Sequence, residues 1–512
     1  MRRKGYADGR TFRAAVISEH LTLVLLAGSV ILLLAVVAVR AAVRTGLPSL
    51  LIYLGIGLAI GDAGLGIRFS DAELTQSLGL IALAVILAEG GLTARWDTIR
   101  PALGPAALLA TVGVLVSVVV TAVIAHWVLA TDWRTALLLG AVVSGTDAAA
   151  VFSVLRRLPL RGRLAAILEA ESGFNDAPVV LLVTLVVSNA WSQSGLWGAL
   201  GTMGYELAVG IAIGLLAGWI GQQVLSRVSL PVAGLYPLAI MAFAMLSYTG
   251  TTLLHASGFL AIYLTGLWLG NSHLPHRHAS IGFVEALAWL AQIGMFVLLG
   301  LLASPLRLPA AIVPALVIGT GLLLLARPLS VLASSLPFRI PLRDQAFLSW
   351  AGLRGAVPIV LATIPLATHS VNGELIFDIV FVLVFVFTLI QAPTLPWVAR
   401  RLGVVADTEV RDVDVEVAPL DQINADLLSV TVPPHSRLHG SYVLDLRLPE
   451  GAVVSLVTRG DDTSVPSLHT RLAVGDTLLV VAADGVREEA ERRLRAVGRA
   501  GPLARWFGES GR

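Results

Sequence analysis

Long apolar runs dominate this sequence, and they limit what the chain can fold into. Many runs hold 18 or more mostly apolar residues, which is enough for a helix to cross ~30 Å of hydrocarbon. Only 14% of the residues are charged, whereas a typical soluble protein has about 25%. A membrane β-barrel would show short alternating segments instead. The pattern therefore predicts an all-α polytopic membrane protein with a multi-pass location in the lipid bilayer.

Thirteen segments are predicted to span the membrane. Their approximate bounds are 19–39, 47–67, 73–93, 104–130, 135–155, 164–188, 199–225, 232–252, 254–271, 282–303, 309–335, 344–366 and 374–398. Residues 1–18 form an N-terminal tail, and residues 19–400 are predicted to be one transmembrane domain. The absence of cysteine excludes disulfides and thiolate metal sites.

The arginines of the loops predict the orientation of the chain. With thirteen spans the two ends lie on opposite sides. Twelve loop arginines lie on the side of the C-terminal tail, and three lie in the opposite loops. The positive-inside rule then places the C-terminal domain in the cytoplasm. The basic N-terminal tail disagrees, and a translocated tail, a later start or one miscounted span would each explain it.

A soluble composition begins after Arg401. Residues 401–412 are predicted to be a linker, 413–498 a small α+β domain and 499–512 a tail. The expected strands cover 428–432, 452–458 and 477–481, and the expected helix covers 487–497. This domain contains no glycine fingerprint for a dinucleotide.

Two predicted spans place glycine beside polar residues in mid-membrane. The fifth contains Ser144-Gly145-Thr146-Asp147, and the twelfth contains Gly352-Leu353-Arg354-Gly355-Ala356-Val357-Pro358. Such segments predict helices that are broken at the centre of the bilayer and that cross there. Each is the middle of a triplet of spans, 4–5–6 or 11–12–13. Interruptions at matching places indicate inverted repeats and a transport site, and ordinary packing glycines are the alternative.

The stretch from Glu171 to Pro178 lies inside an apolar run and carries two acids and an amide. A charge at the centre of a bilayer costs about 3 kcal/mol or more, so such a residue is a candidate functional site. Ser172 and Asp176 are four residues apart and share a helical face. A carboxylate there can hold a proton or a dehydrated cation but not both. Asp176 is therefore predicted to be the exchange site.

Additional oxygen ligands are predicted around Asp176, because hard cations prefer oxygen. Ser172, Thr146 and Asp147 are the candidates, and Asp147 could instead cap the N-terminus of a half-helix. Asn175 supports Asp176 without adding a second negative charge. A single exchangeable charge predicts electroneutral, one-for-one exchange.

The depth of three further charged residues along their spans predicts their roles. Glu171 and Arg327 each lie about eight residues, or ~12 Å, from the cytoplasmic end of a span. Equal depth predicts an ion pair, since a buried charge needs a partner, and snorkelling of Arg327 to the interface is the alternative. Glu89 lies near the cytoplasmic end of the third span, where it would line an entrance funnel or the interface.

These motifs carry a specific resemblance. Together with Gly258-Phe259-Leu260-Ala261, the motifs around Thr146, Asp176 and Arg354 resemble the monovalent cation:proton antiporter family, in its electroneutral Asn-Asp branch. The stretch from Gln292 to Gly300 is similar to the potassium/proton antiporter subgroup linked to cell-volume regulation. The soluble part resembles a TrkA-C domain, the C-terminal half of potassium-conductance regulators.

The resemblance implies an antiporter of the cell (inner) membrane, not an enzyme, which exchanges protons for K⁺ and contributes to pH homeostasis. Na⁺ is the alternative cation. It further implies an elevator-like core, a homodimer, Asp176 as the ion-binding acid with Ser172 and Thr146 as ligands, and a Glu171–Arg327 pair. No cofactor and no nucleic-acid partner are expected, and a small regulatory ligand is expected at the cytoplasmic domain.

The sequence argues against two other functional classes. Asp147 and Asp176 on adjacent spans invite comparison with an intramembrane aspartyl protease, but neither lies in a Gly-x-Gly-Asp pattern. A regulated cation channel would need a filter of carbonyl loops or charged rings, and the sequence has no such pore loop.

Overall fold

The computed structural model describes residues 22, 25–40, 48–147, 160, 162–501 and 504. Within those ranges it does not describe residues 63, 65, 67, 68, 189, 229, 273, 406–413, 421–424, 435, 461 and 484. The chain divides into two compact units, Met1–Val405 and Ala406–Arg512.

The first unit is helical. In chain order its described helices are α1 (Leu25–Arg40), α2 (Ser49–Ile60), α3 (Ala72–Thr93), α4 (Trp96–Val128), α5 (Trp133–Ser144), α6 (Gly162–Val187), α7 (Trp197–Arg227), α8 (Leu235–Leu253), α9 (Gly258–Gly270), α10 (Arg277–Leu302), α11 (Leu308–Phe338), α12 (Leu342–Ala351), α13 (Ala356–Ala367) and α14 (Gly373–Leu402).

Length and apolar composition identify membrane-crossing helices among these. Seven of the described helices qualify, and α12 with α13 makes an eighth across a 51° bend. The count of thirteen spans therefore stays a prediction. The expected span at 47–67 needs correction, because α2 ends at Ile60 and the backbone of Gly61 is extended. The second half of the expected fifth span, 148–155, lies outside the described residues.

Helices α3 and α9 pack almost backbone to backbone. A Cβ atom added at Gly91 would overlap the Tyr263 carbonyl, and one added at Gly266 would lie 2.7 Å from the Ala88 carbonyl oxygen. Small residues let membrane helices approach this closely. Asn271 closes the end of the pair, because its side-chain amide donates to the Ala94 carbonyl and its oxygen accepts from the Trp96 N–H, both at 2.8 Å.

Two described helices each contain one π-turn. In α4 it covers Leu109–Gly113, and in α11 it covers Leu322–Ala326. The N–H of Val114 bonds to the Leu109 carbonyl, and the N–H of Arg327 bonds to the Leu322 carbonyl. Each bond spans five residues instead of four, so each helix carries one extra residue in that turn.

The second unit contains a five-stranded antiparallel sheet in the order β1-β2-β5-β3-β4. Its elements are β1 (Asp414–Leu420), β2 (Ala425–Thr431), β3 (Ala452–Arg459), β4 (Asp462–Ser464), β5 (Thr477–Ala483) and the helix α15 (Arg487–Ala500). The three predicted strands correspond to β2, β3 and β5, and the sequence interpretation missed β1 and β4. Apolar residues of β2, β3, β5 and α15 form its core.

Candidate functional site

The two interrupted segments meet directly. Helix α5 ends at Ser144, and residues 145–147 leave the helix. The gap from Gly352 to Gly355 separates α12 from α13. The backbone N–H of Asp147 donates to the Leu353 carbonyl at 3.1 Å, and the Ala356 N–H donates to Asp147 Oδ2 at 2.6 Å. Asp147 therefore caps α13, the second of the two roles that the sequence left open for it.

Three polar side chains, one from the segment after α5 and two from α6, form a small network beside this crossing. Asn175 Nδ2 donates to Thr146 Oγ1, and Thr146 Oγ1 lies 3.2 Å from Ser172 Oγ. All three residues are at most 2% exposed. The network explains why the hydroxyls tolerate burial, since buried polar groups need hydrogen-bond partners.

Two buried oxygens next to this network remain without partners in the described part of the chain. They are Asp176 Oδ1 and Asn175 Oδ1. Asp176 is 2% exposed, and Asp147 lies within electrostatic range of it. An unpaired buried acceptor is costly, so a native site needs a species that satisfies it. A proton on Asp176, or a cation shared by these oxygens, would do so.

Glu171 lies on the same helix and has a partner of its own. Arg327 of α11 binds its carboxylate through two nitrogens, with Nη1–Oε1 at 2.5 Å and Nη2–Oε2 at 2.8 Å. The side chains are 4% and 2% exposed. Bidentate geometry is the strong form of this contact. The pair neutralises Glu171. Asp176 is the other fully buried acid of α6, and its Oδ1 has no partner among the described residues.

Arg354 is buried in the gap between α12 and α13. Its Nε donates to the Val143 carbonyl at 3.2 Å and its Nη1 donates to the Gly352 carbonyl, so it ties the gap to the end of α5. The Thr388 hydroxyl donates to the Arg354 carbonyl at 2.7 Å. Arg354 lies within electrostatic range of the Glu171–Arg327 pair. A Cβ atom at Gly352 would lie 2.6 Å from Arg327 Nε, so the absence of a side chain there leaves room for the Arg327 guanidinium.

Comparison with known proteins decides the family of the chain. The transmembrane sodium/hydrogen exchanger family matches residues 29–401, and the TrkA-C domain matches residues 427–495. This chain belongs to the sodium/hydrogen exchanger family. The family resemblance predicted from the motifs is confirmed, and with it the prediction that the chain is an integral membrane transporter and not an enzyme.

Relatives of the exchanger cover most of its length. The K(+)/H(+) antiporter NhaP of Alkalimonas amylolytica is 37% identical over 471 residues, which is 90% of this chain and 82% of the relative. The K(+)/H(+) antiporter NhaP2 of Shewanella baltica is 35% identical over 474 residues, which is 91% of this chain and 82% of the relative.

A solved structure shares the fold of the exchanger. The sodium proton antiporter MjNhaP1 from Methanocaldococcus jannaschii superposes with a TM-score of 0.66 at 24% identity, covering 75% of this chain and 99% of MjNhaP1. The mostly helical antiporter fold, with a small C-terminal sheet domain added, is therefore shown for this chain.

The exchanger has one site neighbour that the sequence interpretation missed. The ring of Tyr263 on α9 lies over Gly173 of α6, where an added Cβ atom would come within 2.5 Å of it. Tyr263 also contacts Phe174 edge to face at a centroid distance of 5.5 Å. Its buried hydroxyl has no partner among the described residues. The signal was present, because Tyr263 lies two residues after the Gly258–Ala261 motif.

Glu89 is half-buried near the C-terminal end of α3. Its backbone carbonyl accepts the Thr93 hydroxyl at 2.9 Å. Its predicted place in an entrance funnel stays a prediction.

Proposed function

We propose that this exchanger is an electroneutral K⁺/H⁺ antiporter in which Asp176 carries either a proton or a potassium ion. The observation that carries the proposal is the pair of unpaired buried oxygens, Asp176 Oδ1 and Asn175 Oδ1, beside two hydroxyls. An all-oxygen site of this kind suits a hard monovalent cation. The relatives named K(+)/H(+) antiporter, each aligned with at least 90% of the chain, favour potassium.

The charges around the site support one-for-one exchange. Glu171 is neutralised by Arg327 in a buried ion pair. Asp147 accepts a backbone N–H and so acts as a cap, and Arg354 is a further buried positive charge in the gap between α12 and α13. Asp176 then carries the single negative charge that a proton or a cation can neutralise. Ser172, Thr146 and Asn175 are proposed to complete the cation's oxygen shell.

Alternating access is proposed to expose this site to one side and then the other. Helix breaks in the middle members of two helix triplets support inverted repeats that cross at Asp147 and Leu353. Matching π-turns in α4 and α11, the first members of the triplets, support the same symmetry. We further propose an elevator-like core, a homodimer and a cytoplasmic location for the C-terminal domain.

The domain organisation is proposed as predicted, with residues 19–400 for transport and 413–498 for regulation. The TrkA-C match to 427–495 supports a separate regulatory role for the second unit. A small ligand bound there is proposed to tune the exchange rate.

Proton-coupled flux in proteoliposomes tests the function, with K⁺, Na⁺ and Rb⁺ compared in turn. We expect a K⁺ gradient to drive proton movement in the opposite direction. An imposed membrane potential should leave the exchange rate unchanged, and Asp176→Asn should abolish exchange. A rate that responds to the potential would exclude one-for-one exchange. Cation flux without proton movement would indicate a channel instead.

Sodium/proton exchange is the second candidate, because the structural neighbour MjNhaP1 is a sodium proton antiporter. The same assay separates the two cations. Exchange with Na⁺ and none with K⁺ would replace the potassium proposal but keep Asp176 as the site.

A further inference from the structure

The two π-turns lie at corresponding positions in their helices. One begins thirteen residues after the start of α4, and the other begins fourteen residues after the start of α11. Each packs against the other helix, since the π-turn of α4 contacts the C-terminal part of α11 and the π-turn of α11 contacts the C-terminal part of α4. π-turns are rare and occur frequently at functional sites.

The π-turn of α11 changes which residues face the protein interior. Before it, the buried positions follow the spacing of an ordinary α-helix; they are Ala311, Ala315, Ile318, Gly319 and Leu322. Continued without a π-turn, that spacing would bury position 329 and leave 327 outside the stripe. The structure instead buries Arg327 and Ser330, and leaves Leu329 45% exposed.

This shift brings Arg327 to Glu171. One residue corresponds to about 100° of rotation around a helix. Without the extra residue the guanidinium would turn toward the lipid-facing side, where Leu324 and Leu325 are more than half exposed. The Arg327 N–H itself closes the π-turn on the Leu322 carbonyl. The residue that neutralises Glu171 is therefore also the residue at which the register changes.

Pro328 gives this π-turn a local cause in the sequence. A proline inside a helix has no N–H to donate, and its ring crowds the carbonyl four residues earlier. That carbonyl belongs to Leu324, inside the π-turn. Opening the turn by one residue relieves the crowding, and kinks in helices commonly have this cause.

Serine hydroxyls of α11 stabilise the other π-turn. Ser330 Oγ donates to the Gly113 carbonyl at 2.7 Å, and Ser334 Oγ donates to the Leu108 carbonyl at 3.2 Å. Gly113 leaves room for them, because a Cβ atom there would lie 2.8 Å from Ser330 Oγ. Ser330 lies three residues after Arg327 and on the same buried face. Its bond to α4 therefore holds the rotation of α11 at the level of Arg327.

We propose that the paired π-turns of α4 and α11 aim Arg327 at Glu171, with Pro328 and Ser330 as the positioning residues. They act through the ion pair, which fixes the position of α6 and therefore places Asp176 where it can bind the cation. The transport part of this inference rests on the proposed function.

Replacing Pro328 and measuring the exchange kinetics in proteoliposomes tests whether the register of α11 positions Arg327. We expect Pro328→Ala to raise the apparent KM for K⁺ by about tenfold, the effect of losing one good charged hydrogen bond. Pro314→Ala is the matched control, because Pro314 also lies inside α11 but before the π-turn, and we expect its KM to stay within about twofold of the native value. Equal KM values for the two variants would overturn the proposal.

Ser330→Ala gives a second, milder test that does not depend on removing a proline. Its apparent KM should rise while the exposed-hydroxyl control Thr249→Val, whose hydroxyl bonds only within α8, stays at the native value. An unchanged KM in Ser330→Ala would count against the proposal even if the variant melts earlier.

A thermal unfolding cycle separates this inference from the proposed function. If Ser330 holds Arg327 on Glu171, the loss of Tm from Ser330→Ala should be smaller in a Glu171→Gln background than in the native chain. Losses that simply add would overturn the positioning role. Absence of cation–proton exchange in the native protein would overturn the proposed function, while this cycle would still decide the role of Ser330.

Discussion

Asp147 Oδ2 accepts the backbone N–H of Ala356 at 2.6 Å. An acid at the end of one interrupted segment thus caps the helix that begins in the other. The same residue's N–H bonds to the Leu353 carbonyl. Two backbone breaks that would otherwise leave donors and acceptors unpaired in the membrane satisfy each other here, as an apolar environment requires.

Gly355→Ala is predicted to disrupt this crossing. A Cβ atom at Gly355 would overlap the Asp147 carboxylate, so the cap must break or the backbone must move. Loss of a helix cap costs about 1–2 kcal/mol in the free energy of unfolding. We expect a matching drop in thermal stability in detergent, together with loss of exchange. Gly294→Ala is the control, because a Cβ atom there would meet nothing within 4 Å; an equal loss in the control would refute the steric explanation.

Removing one member of the Glu171–Arg327 pair is predicted to be worse than removing both. Glu171→Leu or Arg327→Met alone leaves a buried charge uncompensated and should lower the free energy of unfolding by about 3–5 kcal/mol. The double variant should recover most of that loss, since apolar side chains of similar volume often replace buried ion pairs at little cost. Thermal unfolding of the three variants measures this, and a double variant as unstable as the sum of the singles would contradict it.

Gly173 and Tyr263 are predicted to compensate for each other. Gly173→Ala places a methyl group within 2.5 Å of the Tyr263 ring and should reduce exchange, at a cost of about 1–3 kcal/mol for overpacking. Adding Tyr263→Leu should restore much of the lost stability, because the smaller side chain leaves room for the methyl group. Tyr263→Phe with Gly173→Ala is the matched control, since it removes only the hydroxyl. Equal recovery by Phe and Leu would show that ring size is not the cause.

The soluble unit is predicted to lose stability in acid through Asp476. This carboxylate is fully buried and accepts two hydrogen bonds from Arg459, at 2.7 and 2.8 Å. The Arg459 guanidinium holds the pKa of Asp476 below its usual range, and the Ala473 N–H adds to the effect. A lowered folded pKa means that the stabilisation is complete above the unfolded pKa of about 3.9 and disappears as the pH falls through the lower folded value.

Hydrogen exchange of β3 and β5 in the full chain measures this pH dependence. Protection should fall between about pH 4 and more acidic values in the native protein. In Asp476→Asn it should be weaker at neutral pH and should change less with acidification. A native-like acid profile in this variant would assign the pH dependence to other groups.

Much of the site could be predicted from the sequence, because charged residues that lie inside long apolar runs can be recognised there. The depth of Glu171 and Arg327 along their spans set them at one level, and in the structure they meet as a bidentate pair. The exposed edge strand β4 was missed for the opposite reason. It is only three residues long, carries no apolar alternation and exists through its pairing with β3.

Local pattern also could not decide between two roles for Asp147. Capping and cation binding both call for a carboxylate next to a helix break, and the choice depends on which N–H groups lie nearby. Ala356 lies 209 residues further along the chain. The contact of Tyr263 with Gly173 likewise joins two helices, α9 and α6. The order of two helices in the sequence does not determine which of their faces contact each other.

By itself, the sequence determined the membrane location, the antiporter family and the cluster of polar residues around Asp176, because apolar length and buried charge are properties of single segments. Only the tertiary structure decided that Asp147 caps α13, that Tyr263 covers Gly173 and that a π-turn rotates Arg327 toward Glu171. These features depend on rotations and distances between helices. A change of one residue in register turns a side chain by about 100°, and packing between helices selects which rotation persists.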